Sequence, residues 1–196
     1  KVITTNNWRE KCKFFQKNLN INNPLIITSK GNLSRQKLGS EFNPESIISD
    51  VKPNPTFESC QKVINLVDLS RFDGVISIGG GSVMDTAKVV IASMGTKIYD
   101  FPELLKINTP FKNKIPSIFI PTTHGSGSEV TMWGTIWNMT EKKKYSISHP
   151  DLYPRVAILD GSLTLTLPMD ISIITIMDAI SHSFEAIWNK NNNPTS

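Results

Sequence analysis

Apolar positions along this chain alternate between two rhythms. Trp8, Cys12, Phe15 and Leu19 recur at helical spacing, and Pro24-Leu25-Ile26-Ile27-Thr28 then reads as a short, nearly all-apolar strand that Lys30-Gly31 ends. Glu45 to Asp50 is expected to be another strand, closed by Pro53-Asn54-Pro55-Thr56. Phe57 to Leu69 is helical in pattern, with Cys60, Ile64 and Val67 on one side. Gly74-Val75-Ile76-Ser77-Ile78 is a strand that runs through Gly79-Gly80-Gly81-Ser82 into an apolar-faced helix. Ile115 to Ile120 is an apolar strand leading into Pro121-Thr122-Thr123-His124-Gly125-Ser126-Gly127-Ser128-Glu129. Thr131 to Met139, Tyr145 to Ser148 and Arg155 to Leu159 read as three more strands, expected to pair at an edge, and Pro168 opens a helical segment from Met169 to Trp188. Helical patterns alternating with short apolar strands predict an α/β fold, with a parallel sheet covered on both faces.

Composition narrows the class. A chain of 196 residues with 39% apolar residues buries a sizeable core, as one large domain or as one domain and part of a second, and its last residues favour the second arrangement. The apolar runs are too short to span a bilayer, and the start, Lys1-Val2-Ile3-Thr4-Thr5-Asn6-Asn7, has no signal core. Cys12 and Cys60 fit no zinc spacing and need not pair, so a reducing cytoplasm is the simplest location. The net charge of +4 comes from scattered lysines, densest at Lys142-Lys143-Lys144, without the interleaved aromatics of a nucleic-acid groove. Neither nucleic acid nor membrane is expected as a partner. Anionic small molecules suit the charge.

The glycine run carries the first chemistry. A helix start leaves peptide N–H groups without intrahelical partners, and residues with little or no side chain let an anion such as a diphosphate approach them. The order matches neither G-x-G-x-x-G nor the G-x-x-x-x-G-K-S/T loop. The alternative is a tight turn whose glycines only let the helix pack on the sheet. A second small-residue loop, with Ser126-Gly127-Ser128 and the hydroxyls of Thr122 and Thr123, stands at the end of another apolar strand, and ligands of open α/β sheets sit in that crevice. Asp178 and His182 are four apart, with Cβ atoms roughly 6 Å apart on a helix, so both can reach one divalent cation or form a plain surface ion pair. Glu185 either orients that imidazole or joins a salt network. His124 and His149 lack a neighbouring ligand pattern and are weak proton-donor candidates, leaving the catalytic residue unassigned.

Taken in order, Val51-Lys52-Pro53-Asn54-Pro55-Thr56, Gly79-Gly80-Gly81-Ser82 with Asp85 and Lys88, Pro121 to Glu129, Leu167-Pro168, and Asp178-Ala179-Ile180-Ser181-His182-Ser183-Phe184-Glu185-Ala186 make the chain resemble the iron-dependent, group III alcohol dehydrogenases. The resemblance implies a Rossmann-like dinucleotide-binding α/β domain over 1–166, followed by the start of an all-helical metal-binding domain over 167–196. Two further histidine ligands of the family lie past the last residue, so the chain is expected to be an N-terminal piece. By resemblance, Gly79, Gly80, Gly81, Ser82 and Asp85 form the diphosphate motif, Thr122, Thr123 and Ser126 line the cofactor, and Lys144 reaches toward its ribose. Ser126 departs from the more usual threonine. Ser29 replaces an aspartate of NAD-preferring members and is followed by Lys30, which favours tolerance of NADP beside NAD. Asp178 and His182 match the first two ligands of an Fe(II) or Zn(II) ion. The implied reaction is hydride transfer between a nicotinamide and a small aldehyde by a homodimeric enzyme, with the metal polarising the carbonyl. Trp133 to Trp137 and the segment from Glu185 to Pro194 look similar to the phosphonoacetaldehyde reductase branch, which would make the substrate anionic. A general short-chain alcohol or diol dehydrogenase, or a non-catalytic dinucleotide-binding module, is the alternative.

Overall fold

The computed structural model describes residues 1–106 and 111–193. Its strands are β1 (Val2–Thr4), β2 (Pro24–Thr28), β3 (Ile47–Ile48), β4 (Gly74–Gly79), β5 (Ser117–Pro121), β6 (Trp133–Asn138), β7 (Lys143–Ser148) and β8 (Val156–Leu159). Six of them form a parallel sheet in the order β1-β8-β5-β4-β2-β3, and β6 and β7 make a separate antiparallel hairpin. The helices are α1 (Trp8–Asn18), α2 (Lys30–Arg35), α3 (Phe57–Leu66), α4 (Gly81–Thr96), α5 (Phe101–Leu104) and α6 (Met169–Trp188).

Alternation along the central strands divides the core in two. Side chains two apart on a strand share a face. Leu25, Ile27, Val75 and Phe119 therefore pack under α3, α4 and the hairpin, whereas Ile26, Ile76, Ile118 and Ile158 pack with Trp8, Cys12 and Phe15 of α1. Burial on both faces explains why these strands read as unbroken apolar runs.

Four local expectations change. Pro44 starts a 3-10 turn over Pro44–Ser46, capped by the Asn43 side chain, which leaves only Ile47 and Ile48 of the expected 45–50 strand to pair with Ile26 and Ile27. Arg155 to Leu159 does not join the hairpin at an edge; Val156–Leu159 inserts between β1 and β5, because Val156, Ala157 and Ile158 are buried on both faces of the sheet. The third helix stops at Leu66, where Val67 turns extended and Asp68 caps a separate turn over Leu69–Arg71. Lys30-Gly31 ends β2 but also opens α2, because the Ser29 hydroxyl accepts the Asn32 amide, and this short helix gave no periodic signal.

Asp160 fastens the end of β8 to the first helix. One carboxylate oxygen accepts the Trp8 amide at 2.9 Å, and the other accepts the Ser162 amide and hydroxyl at 3.0 and 2.6 Å. Burial alone would raise its pKa, but these hydrogen bonds outweigh it and hold the carboxyl below the usual range. The stabilisation is thus complete above the unfolded carboxyl's pKa of about 3.9 and is lost as pH falls below it. Asp160→Ala is expected to lower stability by about 1–3 kcal/mol at pH 7. In urea melts repeated down to pH 3 the gap to wild type should narrow, and a gap independent of pH would show that the carboxylate charge is not what holds α1.

Candidate functional site

The carboxyl ends of β2, β4 and β5 open into a cleft of about 470 Å³. Gly79 ends β4 opposite Pro121 of β5, and the Thr122 amide donates to the Gly79 carbonyl at 3.0 Å, so the chains leave the sheet together. Gly80 is the N-cap of α4, with no side chain closing the helix start and no acidic residue in the first turn. A Cβ on Gly80 would lie 3.0 Å from the Thr123 side chain, and one on Gly81 would lie 3.2 Å from Ser126 Cβ. Both loops therefore meet across a narrow gap that a side chain at either position would crowd. That geometry suits a diphosphate, with the positive end of α4 directed at it.

Neighbouring polar groups fix the walls. Ser82 Oγ accepts the Asn54 amide at 3.1 Å, which ties the Val51–Pro55 segment to the glycine loop. Buried Asn32 donates to Thr122 Oγ1 at 3.2 Å and accepts from Arg35 Nη2 at 2.9 Å. Ser29, Asn32 and Arg35 thus form one wall. Neither Asn32 nor Arg35 stood out in the sequence, since the helix that presents them was not recognised; the serine cap at Ser29 was the signal.

The opposite wall comes from α6. Leu167, Ile171, Ile174, Thr175 and Asp178 face the cleft, and the helix comes so close to the second loop that a Cβ on Gly125 would lie 2.2 Å from the Thr175 carbonyl oxygen. Gly125 also has φ +81°, so both sterics and backbone require glycine here. Asp178 Oδ1 and His182 Nε2 are 3.7 Å apart, and both side chains are about half exposed. Two donors each about 2.0–2.2 Å from one ion can be separated by up to about 4.4 Å, so this carboxylate and imidazole fit a divalent cation of the iron or zinc kind. Among the described residues no third His, Cys, Asp or Glu joins them. Glu185 accepts from the Ser181 hydroxyl at 3.4 Å.

Not every expected residue reaches the cleft. Gly80, Gly81, Ser82, Thr122, Thr123, Ser126, Ser29 and Asp178 line it, with Gly79 directly beneath. Asp85 points instead into the interior, where its carboxylate accepts from the Ser128 hydroxyl at 2.9 Å and burial raises its pKa against the opposing pull of Lys88 and that hydrogen bond. Lys144 lies over the Trp137 ring at 4.8 Å on the hairpin. Lys30 is paired with Asp50 at 2.9 Å, and Lys62 adds a second bond; the two ammonium groups hold the Asp50 carboxyl below its ordinary value. His149 caps a turn through Nδ1 and stacks on Phe111, whereas His124 belongs to the second loop.

Known proteins share this arrangement. The sequence pattern of the family described as iron-containing alcohol dehydrogenase matches residues 1–161. Long-chain-alcohol dehydrogenase 1 of Geobacillus thermodenitrificans is 37% identical over 152 residues, which is 76% of this chain and 38% of that protein. NADH-dependent butanol dehydrogenase B of Clostridium acetobutylicum is 31% identical, over 84% of this chain and 44% of its own length. Among solved structures, NADH-dependent butanol dehydrogenase A of Thermotoga maritima superposes with a TM-score of 0.84 at 25% identity, covering 100% of this chain and 51% of its own. Sulfoacetaldehyde reductase of Bifidobacterium kashiwanohense, solved with NAD+, gives 0.85 at 25% identity, covering 98% and 53%. The chain spans about half the length of these relatives or less. With the family pattern running through both glycine loops and the parallel sheet that carries them, this chain belongs to the iron-containing alcohol dehydrogenase family.

Proposed function

We propose that the cleft binds a nicotinamide dinucleotide, and that the protein this chain represents interconverts a small aldehyde and its alcohol. The meeting of the two loops carries the reading: Gly80 and Gly81 leave room for a diphosphate at the start of α4, and Thr122, Thr123 and Ser126 offer hydroxyls around it. Holding the diphosphate there directs the rest of the dinucleotide along the cleft, which fixes its reactive ring beside a substrate. The bound cofactor supplies the hydride, and a divalent cation on Asp178 and His182 supplies Lewis acidity toward the carbonyl oxygen. Asp178 serves both purposes of position, since it lines the cleft and stands beside His182.

On substrate, we favour an anionic aldehyde of the phosphonoacetaldehyde kind, supported by the net charge of +4 and by likeness to a sulfoacetaldehyde reductase. A homodimeric cytoplasmic enzyme completes the reading. No helix among the described residues is long and apolar enough to cross a membrane. A second reading, a dinucleotide-binding module without turnover, is favoured by Asp178 and His182 standing together without a third donor among the described residues.

Three measurements follow. Gly80→Asp puts volume and negative charge where the diphosphate would lie, so calorimetric titration should show NAD affinity reduced more than tenfold, about 1.4 kcal/mol; unchanged affinity in a folded variant rules the site out. Asp50 engages Lys30, whereas Arg35, on the helix that Ser29 caps, lines the cleft and can reach a 2′-phosphate. Arg35→Ala should therefore weaken NADPH binding several-fold more than NADH binding, and equal losses would separate Arg35 from cofactor choice. With two donors a cation stays largely hydrated and exchangeable. Elemental analysis of this chain after dialysis should find well under one equivalent of iron or zinc, and stoichiometric retention would mean that the ligand set is different.

A further inference from the structure

Lys88 is among the largest fully buried side chains of the described residues, and its ammonium is spent neither on the cleft nor on a direct ion pair. Three acceptors surround Nζ: Ser128 Oγ at 2.8 Å, Thr131 Oγ1 at 3.1 Å and the Trp133 carbonyl at 2.6 Å. They cover a continuous stretch, from the end of the second cofactor loop to the start of β6. Ser128 also donates to Asp85 Oδ1, so one hydroxyl bridges the carboxylate and the ammonium, both of which belong to α4. The N-terminus of that same helix is the first cofactor loop.

We propose that Lys88 is a positioning residue that sets the shape of the 126–131 loop against the start of α4, and so the width of the gap into which the diphosphate would fit. The proposal rests on the dinucleotide reading of the cleft. Burial makes this an expensive choice: loss of hydration lowers the Lys88 pKa to about 8, while the charges of Asp85 and Glu129 pull the other way. A group whose charged form is disfavoured in the folded state is poor evidence of a stability role, since a buried charged set replaced as a whole by apolar residues is often tolerated, although removing one member alone leaves its partners unsatisfied. What such a group supplies here is a unique arrangement of three acceptors. The ammonium also stands over the Phe119 ring, 6.0 Å from its centroid.

Loop order and fold stability should therefore separate on substitution. Lys88→Met keeps the length and apolar stem but removes the three hydrogen bonds. We expect the amides of Ser126–Val130 to exchange hydrogen at least tenfold faster than the accompanying loss of global stability accounts for, and NAD affinity to drop at least tenfold. Loop exchange and affinity equal to wild type would overturn the proposal, as would loop exchange that rises only in step with global unfolding. Should Lys88→Met not fold, Ser128→Ala makes a narrower test, because it removes the ammonium's hold at residue 128 while Thr131 at the loop's end and the Trp133 carbonyl still accept from it. Wild-type loop protection in that variant likewise overturns it. If the wild-type chain binds no dinucleotide, the functional reading fails while the exchange measurement still decides the role of Lys88.

Discussion

Everything in the cleft depends on β4 and β5 being adjacent, parallel and ending at the same height. Gly79 and Pro121 are partners in register, and the next amide, that of Thr122, returns to the Gly79 carbonyl. Two chain segments therefore leave the sheet within a few ångströms of each other, and each must turn sharply without filling the space between them. Glycine meets that requirement at positions 80 and 81 on one side. On the other side small residues and two left-handed glycines, Gly125 and Gly127, bend the second loop back toward the sheet. A ligand that carries charge but little bulk at its centre is what such a gap accommodates, and Thr28, which donates to the Ile78 carbonyl at 2.7 Å, holds the third strand end at the same level.

The apolar runs of β2, β4 and β5 could be read directly because strands buried on both faces need no polar alternation, and the glycine loops announced themselves by lacking side chains. Other parts were hidden for physical reasons. The strand over Val156–Leu159 sits in the interior of the sheet, yet it is separated from its neighbour β5 in sequence by a hairpin, so proximity along the chain pointed to the wrong partner. Two-residue β3 exists only because Pro44 delays the start of pairing. Lys30 and Arg35 show the limit most clearly: both are cations close to Ser29, and only the placement of Asp50 beside Lys30 tells which one is engaged elsewhere. Asp85 was assigned to the cofactor on its motif, but in the structure its carboxylate accepts from the Ser128 hydroxyl, which Lys88 also holds, a contact across 43 residues that sequence spacing does not reveal.

The last helix has a different character from the rest. Its first turns close one wall of the cleft and touch Gly125, but none of its side chains is buried, and Ile173, Ile174, Ile176, Met177 and Trp188 are largely in contact with solvent. The described structure thus joins a well-packed sheet layer to a helix held mainly at one end.

Among the described residues, the sheet ends on the β3 side in a strand of two residues, Ile47–Ile48. An exposed backbone edge is a template on which another chain can add a strand, and shortness is one of the ways natural proteins blunt it. Charge reinforces this beside β3, where Asp50 gathers Lys30 and Lys62. Strand-by-strand growth from that edge is therefore poorly seeded, even though the interior strands, taken alone, have the β-branched, uncharged composition that favours cross-β stacking. Keeping those strands in the middle of the sheet is what separates a sequence rich in aggregation-prone segments from a protein that would aggregate through its edges.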